Sequence, residues 1–132
     1  MKTYTNILLI LLLQAVYLSA GTVSVGGEKL FSIEAPSGEQ SPQERSVRAT
    51  KILDSLLVDA SFPAESIKFV EGDKNFYIKA KHITILAVSD KDTTGTGLTK
   101  KDLAARWTEK IQDTIRFKRR IAFSPREIFR IG

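Results

Sequence analysis

The sheet is predicted first from the segment Phe76-Tyr77-Ile78-Lys79-Ala80-Lys81-His82-Ile83-Thr84-Ile85-Leu86-Ala87-Val88. Its two short runs of β-branched and aromatic residues, separated by Lys81-His82, predict two adjacent strands joined by a turn. The second run, 83–88, is the more apolar, which predicts that it forms the central strand of a sheet. His82 is the only histidine and the sequence contains no cysteine. We therefore interpret His82 as a turn residue rather than as a zinc ligand or a catalytic base.

The segments on either side of this stretch add a third strand and a helix. Residues 67–70 form a strand that leads into the turn 71–75, and the polar loop 90–97 follows the last strand. A helix then opens at Thr99-Lys100-Lys101-Asp102. Its predicted buried stripe consists of residues four apart, namely Leu103, Trp107, Ile111 and Ile115.

The N-terminal half predicts a hairpin and another helix. Gly26-Gly27 separates two strand-like runs and supplies the positive φ angles of a two-residue turn. Ser41-Pro42-Gln43-Glu44 is a helix start with a capping serine and a proline in the first turn. The charged residues Arg45, Arg48, Lys51 and Asp54 fall largely away from the apolar stripe, on the polar side of this helix. The resulting ββαβββα order predicts the α+β class, with one antiparallel sheet of about five strands and two amphipathic helices packed on one face.

The first twenty residues predict export. Lys2 precedes an apolar run over residues 7–16, and Ser19-Ala20 provides small residues for signal-peptide cleavage after Ala20. The absence of cysteine favours the bacterial periplasm or the outer face of the inner membrane over a disulfide-rich extracellular setting. An uncleaved anchor remains the alternative, because no charged residue occurs between Thr3 and Gly27.

The net charge of +5 is concentrated at the C-terminal end. Residues 115–132 contain six basic side chains against Glu127 alone, whereas residues 21–114 contain 13 basic and 14 acidic ones. A basic end on an exported chain indicates a membrane surface as its partner before nucleic acid. The candidate membrane-surface contacts are Arg116, Lys118, Arg119, Arg120, Arg126 and Arg130.

The remaining polar motifs do not form an active site. Asp90 and Asp92 lack the ligand spacing of a calcium loop and are interpreted as helix-entry residues, with a weak calcium site as the alternative. Residues 94–97 lack the lysine of a phosphate-binding loop. Trp107 lies on the buried stripe and is interpreted as a core anchor rather than a ligand platform. The sequence therefore predicts no enzyme activity, cofactor, metal or small-molecule substrate.

Six segments in a fixed order carry a resemblance to a known bacterial domain. They are Val25-Gly26-Gly27-Glu28-Lys29-Leu30-Phe31-Ser32-Ile33, Ser41-Pro42-Gln43-Glu44-Arg45, Ile67-Lys68-Phe69-Val70-Glu71, Ile83-Thr84-Ile85-Leu86-Ala87-Val88-Ser89-Asp90-Lys91-Asp92, Leu103-Ala104-Ala105-Arg106-Trp107-Thr108-Glu109-Lys110-Ile111 and Ser124-Pro125-Arg126. Taken in order, they resemble the N-terminal periplasmic domain of small-conductance mechanosensitive channels, notably cyanobacterial ones, over most of residues 23–126. The family's pore helices are missing from this sequence, so conduction is not implied, and the resemblance transfers no catalytic residue.

Two functions follow as expectations. The resemblance implies a non-catalytic periplasmic accessory or sensory domain whose partner is a membrane surface or channel subunits. In that view residues 1–20 are the signal, 21–117 the domain, and 118–132 a basic juxtamembrane-like tail of a truncated or split chain. The alternative is a free-standing exported interaction module that binds a peptide, a lipid or an envelope protein, for example by strand addition to an exposed sheet edge.

The export hypothesis predicts a mature chain that begins near Gly21, because signal peptidase cuts after small residues such as Ala20. Mass spectrometry of the exported protein measures this directly. Recovery of an intact Met1 on a membrane-embedded product would support the anchor instead.

Overall fold

The protein is described here from a computed structural model, which covers residues 20–122; the predicted leader up to residue 19 and the predicted tail from residue 123 lie outside the described residues. Within them, a short 3₁₀ turn precedes the third strand and another follows the fifth. The elements in chain order are β1 (Gly21–Val25), β2 (Glu28–Ile33), α1 (Pro42–Leu57), β3 (Ile67–Glu71), β4 (Phe76–Ala80), β5 (Ile83–Val88) and α2 (Lys100–Ala122).

The strands form two antiparallel sheets. β1 pairs only with β2, and β3, β4 and β5 form a separate sheet in which β4 is the middle strand. The α+β class and the ββαβββα order are confirmed, whereas the predicted single five-stranded sheet is wrong. The predicted central position of residues 83–88 is also wrong, because β5 lies at the edge of its sheet.

Helix α1 takes the place of a third strand beside the hairpin. Gly26 and Gly27 adopt φ angles of 57° and 81°, which confirms the predicted two-residue turn. At the edge of β1 that faces away from β2, the backbone N–H of Ser24 donates to Thr50 Oγ1 at 3.0 Å. The N–H of Gly26 donates to Asp54 Oδ1 at 2.9 Å. Side chains of α1 therefore satisfy edge donors that a neighbouring strand would otherwise bind.

The start of β1 packs directly on the start of α1. Ser41 Oγ accepts a hydrogen bond from the Glu44 N–H at 3.1 Å, so the predicted N-cap of α1 is confirmed. A Cβ atom placed on Gly21 would lie 2.0 Å from Ser46 Oγ and 2.7 Å from the Pro42 carbonyl oxygen. Only glycine fits at this close approach of strand and helix.

Helix α2 packs mainly against the three-stranded sheet and also contacts the hairpin and α1. Its predicted stripe is confirmed, since Leu103, Trp107, Ile111 and Ile115 are all buried. The Trp107 indole stacks on Phe31 of β2, with ring centroids 4.3 Å apart and ring planes within 3° of parallel. All five strands and both helices contribute to one core, whose largest fully buried side chains include Ile33, Leu53, Ile67, Ile78, Ile111 and Ile115.

We expect Trp107→Ala to lower the free energy of unfolding by about 3–5 kcal/mol, because it removes a buried indole and its stacking partner's contact surface. Urea denaturation of both proteins measures the change. Val58→Ala is the matched control: Val58 is 84% exposed and its truncation should change stability by less than about 0.5 kcal/mol. Equal midpoints for Trp107→Ala and the unmodified protein would contradict the assignment of Trp107 to the core.

Candidate functional site

A buried ion pair joins α1 to the turn after β5. The guanidinium of Arg45 binds the carboxylate of Asp92 through two parallel hydrogen bonds, Nη1 to Oδ1 at 2.8 Å and Nη2 to Oδ2 at 3.0 Å. The side chains are only 3% and 1% exposed, respectively. Two parallel bonds between a planar guanidinium and a carboxylate fix both the distance and the orientation of the groups.

Arg45 also donates to backbone carbonyls beside both sheets. Nη1 donates to the oxygen of Ala35, two residues beyond β2, at 2.6 Å, and Nη2 donates to that of Ala87 in β5 at 2.9 Å. The guanidinium therefore lies where the hairpin and the three-stranded sheet meet. The assignment of Arg45 to the polar side of α1 is wrong for the same reason.

Asp92 has a structural role at this turn. Its Oδ2 accepts hydrogen bonds from the Ser89 N–H at 2.9 Å and from Ser89 Oγ at 3.2 Å, which closes a capping box around the 3₁₀ turn Asp90–Thr93. The interpretation of Asp92 as a helix-entry residue is confirmed. Between residues 20 and 122, no group of three or more histidine, cysteine, aspartate or glutamate side chains is arranged to hold a metal ion.

A cleft of about 550 Å³ opens beside this ion pair, between the end of β2, the loop after β5 and the first turns of α2. Trp107 and Leu103 line its apolar side, so Trp107 both anchors the core and faces the cleft. Half of the polar lining residues carry exposed hydroxyl groups, and the lining contains no histidine or cysteine to activate them as nucleophiles. The polar side chains in the lining are Ser32, Glu34, Lys91, Asp92, Thr94 and Thr96.

Three of the predicted membrane-surface residues are engaged in contacts within the domain. Arg116 pairs with Glu65 at 3.1 Å and with Asp113 at 3.3 Å. A hydrogen bond from its own backbone amide and, next, the one from Arg116 lower the pKa of the Glu65 carboxyl below its usual range. Lys118 lies 3.6 Å from a carboxylate oxygen of Glu28.

Arg119 caps the C-terminal end of α1. Its Nε donates to the carbonyl oxygen of Leu57 at 3.1 Å, and its Nη2 donates to those of Leu56 at 2.7 Å and Asp59 at 3.2 Å. The last carbonyls of a helix have no intrahelical partner and carry a partial negative charge, so a cation there is doubly favourable. Charge counting along the sequence identified Arg119 as basic but did not reveal this contact.

The end of α2 presents a different combination of side chains to solvent. Arg120 is exposed and makes no ion pair with any residue in the described range. Phe117 and Ile121, one turn apart, are 48% and 44% exposed. We call Phe117, Arg120 and Ile121 the apolar–basic end of α2. Arg126 and Arg130, the last two candidate contacts, lie outside the described residues.

No helix in residues 20–122 combines the length and the hydropathy required to cross a bilayer. The apolar–basic end is exposed at the C-terminal turns of α2. Its two apolar side chains and its one unpaired cation occupy consecutive turns.

We expect Arg45→Met to lower the free energy of unfolding by about 3–5 kcal/mol, because the buried Asp92 carboxylate loses its only cationic partner among the described residues. Asp92→Asn should also destabilise, and the double variant should cost less than the sum of both, since the groups contact each other. Urea denaturation of the four proteins gives the coupling energy. Arg116→Met, at an exposed ion pair, is the control and should cost less than about 1 kcal/mol. Additive costs at positions 45 and 92 would contradict the coupling.

Comparison with known proteins identifies a family for this chain but no function. No curated protein and no solved structure matches this sequence. One protein family does: its description is "Domain of unknown function (DUF8459)", and the match covers residues 22–118, from β1 to within α2. The description names no activity and no channel. The match spans well over half of the chain, and the chain therefore belongs to the DUF8459 family.

Proposed function

We propose that this chain is a non-catalytic accessory domain that rests on an anionic membrane surface through the apolar–basic end of α2. The observation that carries the proposal is the exposure of Phe117 and Ile121 beside the unpaired Arg120 on a helix whose other large apolar side chains are mostly buried. Half-exposed apolar side chains next to free cations are the combination by which interfacial helices bind anionic lipid.

The contacts of the neighbouring basic residues support the assignment of the apolar–basic end of α2 as the membrane contact. Arg119 is fixed on the C-terminal end of α1, and Arg116 and Lys118 pair with carboxylates of the domain. These three residues hold the end of α2 against the rest of the domain. Arg120 is left to act as the membrane contact within the described residues, and Arg126 and Arg130 add two charges in the sequence beyond them.

The electrostatic contribution of such residues is modest. Each lysine or arginine close to an anionic membrane contributes about 1 kcal/mol, and the attraction decays within a Debye length. A contribution of this size from Arg120 gives weak, reversible binding, and partial insertion of Phe117 and Ile121 adds an apolar term that salt does not screen. This mode suits an exported domain held beside a membrane protein, which is the role that the resemblance to mechanosensitive-channel domains implies.

Co-sedimentation with liposomes tests the proposal. The chain from Gly21 onward should bind vesicles of phosphatidylcholine with about one third phosphatidylglycerol, should bind pure phosphatidylcholine vesicles less, and should lose part of its binding at high salt. Arg120→Glu should remove much of the difference between the two vesicle types. Phe117→Ser combined with Ile121→Ser should reduce binding at every salt concentration, because the apolar term is unscreened.

Lys101→Glu is the matched control for this experiment, since Lys101 is an exposed cation at the opposite end of α2. The control variant should bind like the unmodified chain. Equal binding to neutral and anionic vesicles, or equal losses with Lys101→Glu and Arg120→Glu, would overturn the proposal.

A further inference from the structure

The outer edge of β3 has backbone groups that no strand or side chain within residues 20–122 binds. The backbone N–H of Gly72 donates to the carbonyl oxygen of Asn75 at 2.8 Å, so the backbone of Gly72 faces β4. Because hydrogen-bonded and non-hydrogen-bonded positions alternate along an antiparallel pair, the N–H and C=O groups of Lys68 and Val70 face β4 as well. Ile67, Phe69 and Glu71 therefore direct their N–H and C=O groups away from β4. Gln112 donates to the Ile67 carbonyl at 2.6 Å, whereas no hydrogen bond among the described residues reaches the N–H or C=O of Phe69.

A groove runs along this edge between β3 and α2. Its volume is about 470 Å³, and Ile67, Lys68 and Phe69 line its β3 side. The α2 side is formed by one alanine and three polar side chains, of which Gln112 reaches the Ile67 carbonyl at one end of the edge. These α2 residues are Ala105, Thr108, Glu109 and Gln112.

Two lysines stand directly opposite each other on the outer face of the same sheet. The register pairs Lys68 of β3 with Lys79 of β4, and neither has a carboxylate partner among the described residues. Like charges at directly opposite positions of an antiparallel pair are destabilising. A shallow depression of about 390 Å³ adjoins both lysines and is lined as well by Ser66, Val70 and Lys81, so the local charge is wholly positive.

We propose that the edge of β3 binds an extended acidic peptide by strand addition. An antiparallel peptide strand would form hydrogen bonds with Phe69 through its own N–H and C=O, which supplies partners for the free edge groups. Side chains of a strand alternate between the two faces of a sheet. The peptide residue opposite Lys68 therefore lies on the lysine face, where a carboxylate relieves the repulsion, and the residue opposite Phe69 lies over the groove, where a small apolar side chain fits.

The same charges argue against a second copy of this chain as the occupant. Pairing β3 with β3 of another molecule would bring two Lys68–Lys79 pairs together without any intervening carboxylate. Lysines on edge strands commonly prevent such self-association. Here Lys68 and Lys79 disfavour a second copy of the chain and favour an acidic peptide. The repulsion of one partner and the attraction of the other together give selectivity.

This site is separate from the apolar–basic end of α2 and does not rest on the membrane proposal. Its residues occupy β3, the paired β4 position and the first half of α2, whereas Phe117, Arg120 and Ile121 occupy the last turns of α2. A variant at one site should leave the other unaffected.

Fluorescence polarisation with a labelled peptide of alternating glutamate and valine tests the proposal on the chain from Gly21 onward. The Glu–Val peptide should bind at least tenfold more tightly than a Lys–Val peptide of equal length, and its affinity should fall as salt rises. Lys68→Glu with Lys79→Glu should reverse the preference. Lys51→Glu, at an exposed position of α1, is the control and should leave it unchanged.

Methylation of the peptide backbone distinguishes strand addition from simple charge attraction without altering the protein. In antiparallel addition only the valine amides face β3, so N-methylation of the valines should abolish binding and N-methylation of the glutamates should not. The reverse result would show parallel addition at the same edge. Equal affinities for both methylated peptides and the unmethylated one would overturn strand addition.

Glu71→Pro provides the same test from the protein side. Glu71 is the exposed last residue of β3 and its N–H faces the free edge, so proline there leaves the β3–β4 ladder intact and obstructs an added strand. Glu71→Pro should weaken binding of the Glu–Val peptide at least fivefold relative to Glu71→Ala. Equal affinities of these two variants, or a dimer in analytical ultracentrifugation that Glu71→Pro dissociates, would overturn the proposal, the latter in favour of self-association.

Discussion

The guanidinium of Arg45 is the group on which the arrangement of the two sheets depends. It donates to a carbonyl beyond β2, to a carbonyl in β5 and to both oxygens of Asp92, and Asp92 in turn closes the turn that leads to α2. Buried ion pairs contribute little stability relative to apolar residues of similar volume. Their value here is orientation, because only one placement of the hairpin against β5 satisfies all of these bonds at once.

That placement has consequences for the rest of the core. Once the end of β2 is held beside β5, Phe31 stacks on Trp107 and the hairpin contacts α2. The cleft beside Trp107 is bounded by the end of β2, the loop after β5 and the first turns of α2.

Local features of the structure could be predicted from the sequence because their causes are local. Gly26-Gly27 determines the hairpin turn, Ser41 and Pro42 begin α1, and the spacing of Leu103 to Ile115 defines the buried face of α2. The division into two sheets depends on a contact between residues 47 positions apart, which no periodicity encodes. One signal was available: Arg45 lies four residues before Ala49, on the apolar face of α1 rather than its polar face.

The charged surface shows the same limit. Composition correctly located the basic segment, but which cations are free depends on tertiary contacts, such as those of Arg119 with the end of α1. Lys68 and Lys79 lie opposite each other because of the register between β3 and β4. In the sequence they are separated by the turn and by parts of both strands. Opposing like charges become visible only when the register is known.

The packing of β1 along α1 separates the two ends of the domain. Gly21, at the start of β1, lies against the first turn of α1, and Arg119, near the end of α2, lies against the last carbonyls of α1. These two positions are therefore at opposite ends of a helix of 16 residues, about 24 Å long. Only four residues separate Gly21 from the apolar run at 7–16, and they span at most about 14 Å. A retained leader and a membrane-bound α2 end would together hold both ends of α1 near the bilayer and prevent α1 from standing perpendicular to it. Removal of the leader would instead allow the domain to stand upright on α2.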